Sequence, residues 1–512
     1  MQVPFLFVII RELVRCFNSF YYLCSVMANM KSLAKDTAIY GLSSIVGRFL
    51  NYLLVPLYTQ TMSAESGGYG VITHMYAMTA LILVLLTFGM ETTFFRFANK
   101  GDEDPRRVFS TALIGIGSSA ILFIVLVLLF IVPVSDFLGY ADHPSYVSAM
   151  ALTVAIDAVR AIPFVYLRQQ KKAVKFAALQ LLNIAVNISL NLVYYVLLGG
   201  SDPGYAFYIN LVSSTVITLC LYKELMGIRY GYDAQLMRRM LSYSWPIVIL
   251  GVAGILNQVA DKILFPFVYE GADMQMQLGI YGATVKIAMI MAMITQAFRY
   301  AYEPFVFGKT HDKDNEQMQG TAMKYFVIFT LLAFLCVMGF IDVIKYLIAP
   351  DYWEGLRVVP IVMAAEIMMG IYFNLSFWYK LSDKTYWGAV FSAVGCTVLI
   401  AINVIFVPRY GYIACAWAGF AGYLTAMLLS YIVGRIYHPV AYPHRIIIDY
   451  FLMAIALFAV MNYGRHHLAQ WLSITLNAGL ILLFVIRIVY HDFPLSSLPV
   501  VGKYFRKNNQ NK

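Results

Sequence analysis

Residues 108–132 read VFSTALIGIGSSAILFIVLVLLFIV and carry no charged side chain. A membrane-spanning α-helix needs about 20 consecutive apolar residues, so this stretch is long enough to cross a bilayer. Arg106 and Arg107 come directly before it. An apolar run bounded by a short basic cluster recurs along the chain, and this pattern predicts a helical membrane protein.

The composition agrees with this interpretation and excludes other classes of protein. Of the 512 residues, 61% are hydrophobic and 12% are charged, whereas roughly a quarter are charged in ordinary soluble domains. A water-soluble fold is therefore excluded. The net charge of +10 is spread over short clusters between apolar runs, which is typical of membrane topology. We expect membrane lipids and no nucleic acid as partners.

Apolar windows separated by turn residues predict fourteen transmembrane helices. The predicted spans cover residues 37–60, 68–93, 108–132, 146–168, 174–199, 204–224, 243–268, 278–303, 321–348, 356–378, 386–408, 411–434, 446–464 and 468–490. The connections between them are short. No connection is long enough to hold a folded catalytic domain.

The charges of the connections alternate from one side of the membrane to the other. One set of connections and tails holds 25 lysine and arginine residues, whereas the other set holds only Arg357, Arg409 and Arg465. By the positive-inside rule the basic set is cytoplasmic, so both termini are cytoplasmic and the number of spans is even. We expect a multi-pass protein of a bacterial cytoplasmic (inner) membrane.

The spans and connections suggest a division of the chain into six segments. Residues 1–30 form an apolar N-terminal extension, which is either an interfacial helix or a stretch that precedes a translation start at Met27 or Met30. The other segments are an N-lobe over 31–224, a cytoplasmic linker over 225–242, a C-lobe over 243–434, two further helices over 435–490, and a basic cytoplasmic tail over 491–512.

The two lobes resemble each other at an offset of about 212 residues. The matching pairs are Tyr69-Gly70 with Tyr281-Gly282, Glu91 with Glu303, Lys172 with Lys384, and Asn191 with Asn403. Each repeat then contains six spans, which is an even number, so the two lobes are parallel and related by an axis along the membrane normal. This is the architecture of alternating-access transporters, whose two halves rock around a central cavity.

Several short patterns resemble one transporter family. The run 40–51 (YGLSSIVGRFLN) followed by 56–59 (PLYT), and the later runs 260–264 (ADKIL), 279–282 (GIYG) and 303–305 (EPF), are similar to bacterial polysaccharide exporters. These are the lipid-linked oligosaccharide flippases of the multidrug/oligosaccharidyl-lipid/polysaccharide exporter superfamily. The resemblance covers roughly residues 31–490, and its motifs are loose.

The resemblance implies a fourteen-helix flippase. Such a protein moves an undecaprenyl-diphosphate-linked sugar repeat unit of O-antigen, capsule or exopolysaccharide from the cytoplasmic to the periplasmic leaflet. A polysaccharide polymerase machinery would be its partner, and no covalent chemistry is required, so we expect a transporter and not an enzyme. The alternatives are a small-molecule drug exporter or a peptidoglycan-precursor flippase of the same superfamily. A membrane polymerase or ligase of lipid-linked sugars fits less well, because the chain lacks a large loop.

Cationic side chains inside predicted spans are candidates for binding the diphosphate headgroup. A charge at the centre of a bilayer costs about 2.5–3.5 kcal/mol on insertion scales, so such side chains face a cavity or a partner. The candidates are Arg48, Arg160, Lys262 and Lys286. Arg160 lies three residues after Asp157, which also permits a structural salt bridge. Lys286 has a similar alternative, since Asp261 could neutralise it across the hairpin of the seventh and eighth spans.

Carboxylates inside spans are candidates for binding a coupling cation, either H⁺ or Na⁺. They are Asp261, Glu366 and Asp157. Apart from this ion we expect no cofactor. The six cysteines show no ligand spacing, and His74 is the only histidine inside a span. The sequence therefore predicts no metal site, although His74 could titrate in a cavity.

Overall fold

The chain is an all-helical membrane protein. The structure is a computed structural model and describes residues 50, 52–99, 103–226, 231–308, 315–382 and 384–492. Within those ranges every regular element is a helix. In these ranges eleven helices are long and apolar enough to cross a membrane, or twelve if the bent pair Met274–Ala288 and Ile290–Arg299 is one span. The predicted all-α membrane fold is confirmed.

The helices of the N-terminal half follow the first six predicted spans. The first of those spans lies largely outside the described residues, and only its end is seen. The helices are α1 (Leu54–Thr61), α2 (Gly68–Thr87), α3 (Met90–Asn99), α4 (Pro105–Leu129), α5 (Ile131–Phe137), α6 (Pro144–Gln169), α7 (Ala173–Leu192, extended by a π-helical turn over Val193–Leu197), α8 (Gly204–Cys220) and the short α9 (Tyr222–Leu225).

The helices of the C-terminal half follow the other eight predicted spans. They are α10 (Ala234–Val268), α11 (Met274–Ala288), α12 (Ile290–Gly308), α13 (Asn315–Gly339), α14 (Ile341–Ile344), α15 (Val359–Leu375), α16 (Phe377–Leu381), α17 (Tyr386–Tyr410), α18 (Tyr412–Tyr437), α19 (His444–His467) and α20 (Gln470–His491). Three 3₁₀ turns, Ala64–Ser66, Lys345–Leu347 and Pro350–Val358, lie in connections.

The helix α10 begins nine residues before the predicted seventh span, inside the segment expected to be a linker. Asp233 caps its N-terminus, because the carboxylate accepts hydrogen bonds from the backbone amides of Gln235 (2.9 Å) and Leu236 (3.0 Å). Asp233 also pairs with Arg107. The first turns of α10 are therefore a folded element attached to the N-terminal half.

Several predicted spans are interrupted, which hydropathy does not reveal, and two of the breaks lie in the pair of helices that join the halves. The second span divides into α2 and α3 at Phe88 and Gly89, which adopt left-handed backbone angles with φ of 49° and 63°. The eighth span divides into α11 and α12, whose axes differ in direction by 42°. Pro163 in α6 and Pro246 and Pro266 in α10 lie inside continuous helices, where each proline removes one backbone hydrogen bond.

Helices pack mainly with others of their own half. In the N-terminal half, α6 contacts α2, α4 and α8, and α7 packs on α8. In the C-terminal half, α18 lies against α15 and α17, and α17 against α10. The last two helices, α19 and α20, pack on α13. Contacts between the halves run chiefly from α2 to α10 and α11.

The end of α20 is held by buried polar contacts. Asp492 accepts hydrogen bonds from Tyr450 (2.5 Å) and pairs with Lys324 of α13 at 3.1 Å. The backbone carbonyl of Asp492 accepts a further hydrogen bond from Tyr325. These contacts attach the last two helices firmly to the C-terminal half.

The two halves meet closely where α2 and α11 begin, and we call this the outer contact. A Cβ atom added to Gly70 would lie 2.0 Å from the carbonyl oxygen of Gln275, and one added to Gly279 would lie 3.0 Å from the amide nitrogen of Gly70. Only glycine permits this approach. Gly70 and Gly282 belong to the sequence repeat, so the repeated glycines form the contact between the halves.

Two hydrogen bonds reinforce the outer contact. The Tyr352 hydroxyl donates to the Met62 carbonyl at 2.9 Å, and the Ala349 amide donates to the Thr59 hydroxyl oxygen at 3.3 Å. Both bonds join the end of α1 to the connection between α14 and α15. The acidic connections gather at this end, which the positive-inside rule assigns to the outer face.

Candidate functional site

The seventh and eighth predicted spans form the hairpin of α10 and α11, and its facing residues build a buried ion pair. The Lys262 ammonium lies 2.8 and 2.9 Å from the two carboxylate oxygens of Asp261. Tyr281 of α11 donates a hydrogen bond of 2.6 Å to the same carboxylate. Asp261 is therefore neutralised by its own neighbour. In the described structure the ion-pair partner of Asp261 is Lys262, and no contact joins Asp261 to Lys286.

Lys286 lies on α11, five residues after Tyr281, and is half-buried. Its ammonium is 6.0 Å from the centre of the Tyr52 ring, at the end of the first span. Among the described residues it makes no hydrogen bond or ion pair, while its charge interacts with that of Lys262. The hairpin therefore holds two ammonium groups and one carboxylate. Of the two ammonium groups, that of Lys286 has no ion-pair partner among the described residues.

Glu366 of α15 faces the same region. It is half-buried, its charge interacts with that of Lys262, and it lies near the neutral Tyr423. In the part of the chain that the structure describes, it forms neither a hydrogen bond nor a salt bridge. Glu366, Asp261, Lys262 and Lys286 thus form one charged cluster, which we call the central cluster.

Uncharged side chains connect the helices around the central cluster, and the sequence reasoning missed them. Asn257 of α10 donates to the backbone carbonyl and the hydroxyl of Ser392 on α17, both at 3.1 Å. Tyr423 of α18 donates to the Asn257 carbonyl at 3.1 Å. In the sequence Tyr281 belonged to the repeat and to the GIYG run, and neither indicated that its hydroxyl binds Asp261. A search for polar residues at one helical face of α10 would have found Asn257.

Asp157 and Arg160 form a separate pair in the N-terminal half. Their side chains are 2.9 Å apart on α6 and both are largely buried, so the local salt bridge expected from their spacing is confirmed. The charge of Asp157 also interacts with Tyr76 of α2. Arg160 has one guanidinium nitrogen, Nη1, that is buried without a hydrogen-bond partner in the described residues. Arg48 lies outside the described residues.

Charges near the span ends have local partners. The Asp342 carboxylate forms ion pairs with the Lys345 ammonium at 3.0 Å and with Nε of Arg465 at 3.2 Å. Arg96 lies over the Tyr243 ring at 4.1 Å. The charge of Glu91 interacts with Arg168 rather than pairing with Arg96.

The repeated asparagines illustrate how the halves differ. Asn191 and Asn403 each donate to the carbonyl four residues earlier, at 2.8 Å. Asn191 also accepts a hydrogen bond of 2.8 Å from Tyr58. Asn403 has no such donor among the described residues, and its side-chain oxygen is buried without a partner. The described part of the chain holds no group of His, Cys, Asp and Glu that could bind a metal ion.

The sequence itself carries the signature of a family. The sequence profile of the polysaccharide biosynthesis protein family matches residues 33–301, which is more than half of the chain. The chain belongs to this family. No curated protein matches the chain. The matched region contains α1 to α11, including Asp261, Lys262 and Lys286.

Solved structures of transporters share the fold of this family member. One described as "Lipid II flippase MurJ, inward closed conformation" aligns with a TM-score of 0.71 at 13% sequence identity, covering 88% of this chain and 98% of that chain. An inward-facing multidrug resistance MATE family transporter of the MOP superfamily aligns with a TM-score of 0.62 at 14% identity, over 76% and 94%. The fold of this polysaccharide biosynthesis protein is thus that of MOP-superfamily transporters and flippases.

Proposed function

We propose that this protein flips a polyprenyl-diphosphate-linked oligosaccharide, with undecaprenol as the lipid, from the cytoplasmic to the periplasmic leaflet of a bacterial inner membrane. Family membership supports a role in polysaccharide biosynthesis, and the fold supports transport. The transported unit would be a repeat of O-antigen, capsule or exopolysaccharide. The polymerase machinery that consumes such units would act on the product in the outer leaflet.

The observation that carries this proposal is the Lys286 ammonium in the central cluster, which makes no hydrogen bond or ion pair with any described residue. A membrane-buried ammonium without a carboxylate partner is costly, so it marks a place where an anion binds. Lysine binds phosphate as a point charge. A diphosphate headgroup would supply an anionic partner for Lys286, whereas an uncharged or cationic drug would not.

Arg48 is a second proposed headgroup ligand. It lies four residues before Tyr52, whose ring faces Lys286. Positions four apart share one face of a helix, so a helix over the predicted first span would have Arg48 and Tyr52 on the same face. Its guanidinium can bind two phosphate oxygens at once. Arg160 is a weaker candidate, because Asp157 already neutralises it.

The coupling ion, H⁺ or Na⁺, would bind a carboxylate of the central cluster. Glu366 is the better candidate, since it forms no salt bridge within the described residues and a cation would neutralise it in the membrane. Asp261 is already paired with Lys262, and Asp157 with Arg160. Cation binding to Glu366 after headgroup release would favour the return of the empty transporter.

Alternating access needs a closed outer end while the headgroup enters from the cytoplasm. The outer contact supplies this closure through Gly70, Gly279 and Gly282. The glycan would occupy the space between the halves, and the lipid tail would stay in the bilayer. Separation of the outer contact would then release the headgroup to the periplasmic leaflet.

The proposal is tested by the sidedness of lipid-linked oligosaccharide in host cells with and without the protein. A membrane-impermeant sugar oxidant modifies only material in the outer leaflet. We expect unmodified, cytoplasm-facing material to accumulate when the protein is lost. If the lipid-linked units reach the outer leaflet normally, and only their polymerisation or a drug tolerance changes, the proposal is wrong. Accumulation of the lipid-linked peptidoglycan precursor instead would indicate that the protein is a peptidoglycan-precursor flippase.

A further inference from the structure

His74 is an isolated buried imidazole in α2, with no exposed surface. Its Nδ1 lies 2.8 Å from the Tyr140 hydroxyl. Its Nε2 is buried and has no hydrogen-bond partner among the described residues. A buried polar atom without a partner is rare and calls for an explanation. Neither the central cluster nor the proposed headgroup path uses this residue.

The imidazole lies at the outer contact between the two halves. Thr73 is the residue before His74. A Cβ atom added to Gly282 would lie 2.2 Å from the Thr73 hydroxyl oxygen. From the C-terminal half, the Phe267 ring lies edge-on to the imidazole with centroids 6.2 Å apart. Gln275 of α11 interacts with the Tyr140 hydroxyl. Separation of the halves at this end would therefore remove the cover of His74.

No charge compensates the imidazole in the described structure. Tyr140 is the only titratable side chain that contacts it through a hydrogen bond, and Phe267 and Gln275 are uncharged. The charged groups in the middle of the helices packed on α2 have other interactions: Asp157 with Arg160 on α6, Asp261 with Lys262 on α10, and Lys286 over Tyr52 on α11. A proton added to His74 in the closed state would create a buried, unpaired cation, which is costly.

We propose that His74 is a proton-binding site that controls the outer contact. Its neutral form stabilises the closed outer end, and proton uptake from the periplasmic side favours the open one. The reason is linkage: a proton binds better to the state in which water reaches the ring, so protonation shifts the population toward that state. The inference rests on the proposed alternating access, but it does not depend on the substrate.

The sequence repeat adds an independent observation. At the 212-residue offset that relates Tyr69 to Tyr281, His74 corresponds to Lys286. The same position of the repeat thus carries a lysine in the C-terminal half and a histidine in the N-terminal half. Binding of a proton would give the two halves equal charge at this position while the outer end is open.

The site is tested by the accessibility of the outer contact as a function of pH. Thr73→Cys, introduced after replacement of the six native cysteines, places a thiol opposite Gly282. A membrane-impermeant maleimide added from the outer side reports opening of the contact through the labelling rate. Because the thiolate fraction also changes with pH, each rate is divided by that of an exposed control cysteine, Ser66→Cys.

We expect the normalised labelling rate of Thr73→Cys to rise as the outer pH falls from about 8 to about 5.5, by up to tenfold per pH unit, which is the limit for one proton. His74→Asn keeps a hydrogen-bonding group near the Nδ1 position but cannot titrate, and we expect a rate that does not change with pH. Tyr140→Phe removes the hydrogen bond and keeps the imidazole, so the pH dependence should remain.

Three results would overturn the site: a pH-independent rate with His74 present, an unchanged pH dependence in His74→Asn, or loss of the dependence in Tyr140→Phe alone. Size-exclusion profiles confirm folding, and His74→Gln serves if His74→Asn fails to fold. The assay contains no lipid-linked sugar. A normal pH response together with failed sugar transport would therefore contradict the proposed function and leave the proton site standing.

Discussion

Lys286 is the residue on which the binding proposal depends. Lys286→Gln removes the ammonium, and we expect it to slow arrival of lipid-linked sugar in the outer leaflet by about 10- to 100-fold, because a hydrogen bond to a charged group contributes about 1.5–3 kcal/mol. Lys286→Arg keeps the charge and should retain part of the activity. The impermeant-oxidant assay measures both rates.

The matched control for Lys286 is Lys345→Gln. Lys345 is also a lysine of the C-terminal half, but it pairs with Asp342 near the outer surface. We expect transport within twofold of the wild type. Equal losses in the two variants, at equal protein levels, would remove Lys286 from the binding site.

The Asp261–Lys262 pair makes a prediction about stability. Asp261→Ala leaves the Lys262 ammonium and the Tyr281 hydroxyl without their partner, and breaking a buried ion pair in this way costs about 3–5 kcal/mol. We expect a clear fall in Tm in detergent. The double variant Asp261→Ala/Lys262→Met should recover most of the loss, since no buried charge is left unpaired. A double variant as unstable as the single one would contradict the account.

These residues also show what the sequence could predict at the smallest scale. Asp157 and Arg160 were paired correctly, because residues three apart share a helix face. Asp261 and Lys262 were not, because adjacent helical residues point in different directions and their pairing depends on how a long lysine side chain bends. The role of Tyr281 was missed because the search considered charged residues only, and because its hydroxyl reaches Asp261 only when α10 and α11 pack as a hairpin.

At the level of helices, the proposed alternating access depends on the contact between α2 and α11. Gly70→Ala would place a Cβ atom 2.0 Å from the Gln275 carbonyl oxygen, and overpacking of this kind costs about 1–3 kcal/mol. We expect the outer contact to loosen, so that Thr73→Cys is labelled faster at every pH. Gly117→Ala is the control, because nothing lies within 4 Å of the added atom. Slower labelling in Gly70→Ala would contradict this assignment.

Asp233, which caps the N-terminus of α10, leads to a prediction about how Tm depends on pH. Hydrogen bonds from the Leu236 and Gln235 amides and the charge of Arg107 hold the pKa of Asp233 below its usual range. A carboxyl group whose pKa is lowered in the folded state stabilises it above its unfolded pKa, and the contribution disappears as pH falls through the folded pKa. Asp233→Ala should therefore lower Tm at neutral pH, and the difference should be smaller at a pH well below about 3.9, the ordinary pKa of aspartate. An equal Tm difference at both pH values would exclude this mechanism.

Hydropathy predicted the existence of the spans better than their bounds. The apolar residues of the seventh span begin near 243, but α10 starts at Ala234 because Asp233 caps a polar first turn. The breaks at Phe88 and between α11 and α12 lie in apolar sequence, so their causes are local backbone conformation and packing. Neither leaves a hydropathy signal.

For the whole molecule, the sequence repeat was the most informative signal. Gly70 and Gly282 are far apart in the chain, and their common offset relates the two halves. In the structure both lie in the outer contact, which explains why small residues occupy these positions. What the repeat could not supply is the difference between the halves, such as His74 against Lys286 or Asn191 against Asn403.

The measurement that tests the central claim most directly uses purified protein in liposomes. A polyprenyl-diphosphate-linked sugar with a fluorescent label is placed in both leaflets, and dithionite, which does not cross the bilayer, quenches the outer one. Flipping by the wild-type protein brings the inner pool out, so we expect quenching to pass about one half and approach completion, whereas with Lys286→Gln the phase beyond one half should be about 10- to 100-fold slower. Quenching by the wild-type protein that stops at the value of protein-free liposomes, or that is equal in wild type and Lys286→Gln, would contradict the account.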